Sequence, residues 1–117
     1  MRAAERRKHA RFQVELPLRL TFKDKTVETM ILDMSSSGVR FHAPGPLPLL
    51  NRVQIALELP DYPQAGKSLP LSITGVVVRC AEVKGKQKFP YETAIFFEDI
   101  SPSARARLAR FMSARPA

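Results

Sequence analysis

The chain has 117 residues, a net charge of +8 and one cysteine, Cys80. That length suits a single domain, and the lone thiol excludes an intramolecular disulfide and fits a reducing cytoplasm. No apolar run approaches the roughly 18 residues of a membrane span, and the opening MRAAERRKH is too charged for a signal peptide, so a soluble cytoplasmic protein is expected.

The charge sits at the two ends. Arg2, Arg6, Arg7, Lys8 and Arg11 stand against Glu5 alone, and Arg105, Arg107, Arg110 and Arg115 stand against no acid, whereas residues 12–101 balance ten basic against ten acidic side chains. A neutral body between cationic ends draws an anionic partner to those ends; charged termini that only keep the protein dissolved are the plainer alternative.

Apolar residues alternate from Phe12 through Val14, Leu16, Leu18 and Leu20 to Phe22, the period of a strand with one buried face. Pro17, which has no N–H to donate, marks an edge or bulge there. Residues 23–25 (Lys-Asp-Lys) form a polar turn, and 26–32 read as the returning strand of a hairpin. Residues 33–38, DMSSSG, read as a second turn, followed by a strand over 39–43. Three prolines within 44–48 dictate a loop. Strands follow over 52–59, over 69–80 with a bend at Gly75, and over 89–97, with loops at 60–68 and 84–88. Ser101-Pro102 reads as a helix start. Ala104, Leu108, Phe111 and Met112 then recur at helical spacing. Six short strands and one helix predict a mainly β fold: a six-stranded antiparallel β-barrel with a C-terminal α-helix packed on it. The expected organisation is a mobile basic arm over 1–11, the barrel over 12–100, and the helix over 101–117 within the same domain.

Two segments carry chemistry, Arg7-Lys8-His9-Ala10-Arg11 and Asp33-Met34-Ser35-Ser36-Ser37-Gly38. With the hairpin turn at 23–25, Phe22 faces Thr26, which puts Asp33 opposite Glu15 and Ser37 opposite Arg11, give or take a slip of about two residues. One end of the barrel then collects guanidinium groups, a carboxylate, hydroxyls and a glycine. Arginine forks bond phosphates or the acceptor edge of guanine. Asp33 accepts from guanine's donor edge, Ser35 donates to phosphate, and Gly38 permits a positive backbone angle and close approach to the main chain. This set suits a guanine nucleotide, with the polar arm becoming ordered around the anion. Taken singly, each segment has a plain alternative, a turn and a solvated tail. His9 and His42 are too few for a metal site, and no nucleophile–histidine–acid set or phosphate-cradling glycine loop is present, so no enzymatic activity is expected.

At these two segments the sequence resembles the PilZ domain family, whose pattern is Arg-x-x-x-Arg followed about 20 residues later by Asp/Asn-x-Ser-x-x-Gly. Gly75-Val76-Val77-Val78-Arg79 and the final helix are similar to later parts of the family. The resemblance implies a six-stranded barrel that binds the second messenger cyclic di-GMP. Arg7 and Arg11 would grip phosphates and guanine edges, with Asp33, Ser35 and Gly38 on the other side of the ligand. Arg6, just before the first motif arginine, implies a stacked pair of ligand molecules per protomer. Ala94 departs from the pattern, standing where many members carry glycine. Output would pass to an unidentified downstream protein or to a second protomer in a homodimer. Two alternatives are a small-barrel nucleic-acid-binding protein, disfavoured by the neutral strand region and the absence of tryptophan, and a PilZ-like adaptor that binds only protein.

Overall fold

A computed structural model of the chain describes residues 12–13, 16–60, 68–85 and 88–114. The strands are β1 (Phe12–Gln13), β2 (Pro17–Phe22), β3 (Lys25–Met34), β4 (Gly38–Ala43), β5 (Arg52–Pro60), β6 (Ser68–Glu82) and β7 (Tyr91–Asp99), followed by helix α1 (Pro102–Ala114). Every pairing is antiparallel. Neighbours run β3, β2, β5, β6, β7, β4, and β4 returns to β3, so six strands close on themselves with β1 as a two-residue addition to β3. Closure leaves the six-stranded ring with no free edge, which is how a small all-β domain avoids adding further strands.

The alternation read in the sequence becomes the wall of this barrel. Leu18 and Leu20 of β2, Ile55, Leu57 and Leu59 of β5, and Ile73 and Val77 of β6 point inward and are buried, as are Val39, Phe41 and Ala43 of β4. Pro17 opens β2 opposite Met30 and has no partner on β5, whose pairing with β2 begins at Leu18. That is where a residue without an N–H is tolerated. The β2–β3 turn is tighter than the sequence implied: Lys23 and Asp24 alone reverse the chain, Lys23 taking a left-handed φ of 55°, and Phe22 faces Lys25 rather than Thr26.

Three bulges bend the wall. Leu32 is the extra residue of β3 against β4, Glu98 of β7 against β6, and Val78 of β6 against β7. Gly75 lies beside the second of these, and the reason for glycine is contact: a Cβ there would overlap Ile95 Cγ2 and lie 3.0 Å from the Phe96 carbonyl oxygen. The barrel comes too close to itself at this point for a side chain.

Helix α1 packs across β5 and β6. Ser101 Oγ accepts the Ala104 N–H at 3.1 Å, a side-chain cap on the first turn, and Pro102 takes the first helical position. Ala104, Leu108 and Phe111 are buried in the common core, with Met112 half-buried beside them. The Cys80 thiol is half-buried against that core and accepts the Leu47 N–H at 3.5 Å. Among the described residues no helix is long and apolar enough to cross a membrane.

Candidate functional site

The sequence DMSSSG is not one turn. Asp33 and Met34 finish β3, Gly38 begins β4, and only Ser35–Ser37 lie between. The Leu32 bulge lets Met34 enter the core while Asp33 sits in register with Arg40, on the outer face of the wall. The turn is held by its own groups. Ser35 N–H donates to the Gly38 carbonyl at 2.9 Å, and Ser37 N–H donates to Ser35 Oγ at 3.2 Å. The Ser35 and Ser37 hydroxyls are 3.1 Å apart, and Phe97 N–H reaches across to the Ser37 carbonyl at 2.8 Å. Ser35 is almost fully buried, so its hydroxyl first serves to shape the corner.

Gly38 has a different reason from the one its sequence position suggested. Among the described residues the glycine with positive φ is Gly85; Gly38 is ordinary extended backbone. A Cβ on Gly38 would lie 2.5 Å from the Ile95 carbonyl oxygen. Glycine is required because β4 meets the β7 main chain here, not because the turn needs a left-handed residue.

Asp33 is 8 % exposed and held by Arg40, whose Nε and Nη2 both donate to Oδ2, at 2.8 and 2.5 Å. The Nη1 of the same guanidinium donates to Glu92 Oε2 at 3.0 Å, and Arg79 Nε stands 4.0 Å from that oxygen. The bond to Asp33 raises the Arg40 pKa above the ordinary arginine value; partial burial opposes this, and the Glu92 bond adds to the rise. The named side chains form a charge-balanced row, two arginines against two carboxylates.

The structure brings Asp33, Ser35, Ser37 and Gly38 together at one barrel corner, and it adds Arg40 and Glu92, which the sequence reading missed. Arg40 could have been found: alternation over 39–43 puts Arg40 and His42 opposite Val39, Phe41 and Ala43, and the hairpin carries Arg40 across from Asp33. Glu92 depends on the distant β4–β7 pairing and has no local signal. The register correction is two residues: Asp33 pairs with Gln13, not Glu15, and Phe12 pairs with Met34. Arg6, Arg7 and Arg11 lie outside the described residues.

An apolar groove of about 840 Å3 runs past Pro17, Met30, Leu32, Ala56 and Phe89, and a polar hollow of about 600 Å3 lies between Lys23, Arg52 and Asp99; neither includes Asp33, Ser35 or Gly38. No cluster of metal-ligating side chains occurs among the described residues.

Solved structures share the fold. The chain is similar to the inhibitor of motility MotI/DgrA of Bacillus subtilis (TM-score 0.73, 15% identity, 92% of this chain and 50% of that one). It is similar also to the PilZ domain of Escherichia coli YcgR with c-di-GMP (TM-score 0.66, 18% identity, 92% and 90%). A third similar structure is the K. pneumonia MrkH–c-di-GMP complex (TM-score 0.70, 16% identity, 92% and 51%). The chain thus spans about half the length of MotI/DgrA and MrkH, and nearly all of the YcgR domain. No curated protein sequence is significantly similar to it. The family signature of the PilZ domain matches residues 5–114, and with both halves of the sequence pattern inside that span and the six-stranded barrel closed around it, the chain belongs to the PilZ domain family.

Proposed function

We propose that the chain is a receptor for cyclic di-GMP, bound between Arg7 and Arg11 on one side and the Asp33–Ser35–Gly38 corner on the other. The observation that carries the reading is the pairing of Phe12 with Met34 and of Gln13 with Asp33. The described chain begins beside the corner, one peptide bond from Arg11. A bis-phosphate needs positive charge that the balanced Asp33–Arg40–Glu92–Arg79 row does not spare, and the basic segment at 1–11 supplies it. The YcgR and MrkH structures, both complexes with c-di-GMP on this fold, support the choice of ligand.

In this reading residues 1–11 are an arm that becomes ordered over the ligand, 12–100 the barrel, and 101–117 a helix of the same domain. Arg6 extends the site to a second, stacked ligand. The liganded arm and corner form a new surface, read by a partner protein or by a second protomer, and the domain itself performs no catalysis.

Titration calorimetry tests this. Wild-type protein should give saturable heat at micromolar cyclic di-GMP with one or two ligands per chain, Arg6→Ala reducing a stoichiometry of two to one. Arg7→Ala and Arg11→Ala should each abolish measurable binding. Undiminished binding by both variants, or preference for single-stranded nucleic acid with indifference to cyclic di-GMP, would overturn the reading.

A further inference from the structure

Phe96 is an exposed aromatic ring with no role in the core. It is half exposed, on the outer face of β7 between the buried Ile95 and Phe97. Its cross-strand partner on β4 is Gly38, and its partner on β6 is Val76. Directly opposed residues on antiparallel strands lie about 5 Å apart, so the ring stands one strand away from the Ser35–Gly38 corner. Gly38 raises no side chain between them. The bulged Val78, also half exposed, lies beyond Val76 and enlarges the apolar surface. Charge frames this surface: Arg52 pairs with Glu98 at 2.7 Å at one margin, and Arg40 pairs with Glu92 at the other.

We infer that Phe96, backed by Val76 and Val78, is the platform on which a purine base of the ligand lies. The inference rests on the cyclic di-GMP reading above and assigns that ligand a subsite outside the two motifs. Its chemistry follows from the two halves of the ligand. The arginines, the hydroxyl-rich corner and the carboxylate satisfy phosphates and base edges, but a purine also has two apolar faces that only a flat hydrophobic surface removes from water. Among the described side chains the corner contains no aromatic one, and Phe96 is an exposed ring next to it. Stacking of this kind tolerates any base, so it contributes affinity while the polar corner discriminates.

The chain has no tryptophan, so Phe96→Trp introduces a single tryptophan at the platform, which can be excited apart from the tyrosines. Titrating that variant with cyclic di-GMP should change its emission saturably, with the affinity and stoichiometry of wild-type calorimetry. Phe96→Ala, at a surface position that leaves the melting curve in place, should weaken binding roughly tenfold or more. Phe96→Tyr should restore it. Unchanged affinity of Phe96→Ala beside normal wild-type binding overturns the platform alone and returns the patch to a protein partner. So does a tryptophan that is silent at saturating ligand. Absence of heat from wild type removes the receptor reading and the platform together.

Discussion

A methyl group on Gly38 would meet the Ile95 carbonyl oxygen at 2.5 Å, and that oxygen belongs to the β7 main chain and cannot swing aside. Gly38→Ala should therefore force β4 and β7 apart and cost about 1–3 kcal/mol of stability, read as a lower urea midpoint with an unchanged slope. Arg40 is a second residue whose role is local and testable. It supplies two bonds to the nearly buried Asp33 and one to Glu92. Arg40→Met keeps the packing of the stem and removes the donors. Because its side chain is 38 % exposed, water replaces part of what is lost, and a destabilisation of about 1–2 kcal/mol is expected in the same urea titration. Both residues show what reading by residue type misses. Asp33, Ser35 and Gly38 were recognisable as a set from their spacing. Yet each is first engaged by the fold, Asp33 by Arg40, Ser35 by Ser37 and Gly38 by β7, before any ligand arrives.

At the scale of single elements the sequence was most legible where periodicity was long and local. The inward residues of β2, β4 and β5 follow from alternation alone, and the helical stripe of Ala104, Leu108 and Phe111 is buried as its spacing required. Ser101→Ala should lose the cap and about 1 kcal/mol, and Leu108→Ala should lose about 2–5 kcal/mol through the cavity it leaves; thermal melts followed by circular dichroism check both. Strand ends were less legible, because they are set by partners. β6 runs to Glu82, beyond the expected end at Cys80, since β7 pairs with it as far as Tyr91. The β2–β3 register was displaced because Lys23 adopts φ 55°. Nothing in a lysine announces that conformation, whereas glycine or asparagine would have.

For the molecule as a whole, the strand count, the class and the barrel followed from pattern, but which strands close it did not. The rungs that make the barrel, β2 with β5 and β4 with β7, join segments far apart in sequence and leave no local trace. The same is true of the platform, where Phe96 meets Gly38 only through closure. Ligand binding should stabilise the entire barrel, since a ligand that binds only the folded chain adds about 2.7 kcal/mol at one hundred times its dissociation constant. For a domain of this size that is a rise of about 10 °C in melting temperature, to be measured with and without cyclic di-GMP, and Arg7→Ala should erase it. The bond from the Phe97 N–H to the Ser37 carbonyl gives this coupling an address. It is the rung by which β7 holds the serine turn, so deuterium can replace that proton only when the turn lifts away from the barrel. One amide, on a strand more than fifty residues downstream, therefore keeps time for the corner: its exchange should slow when the turn is occupied and quicken when Ser37 is replaced by glycine.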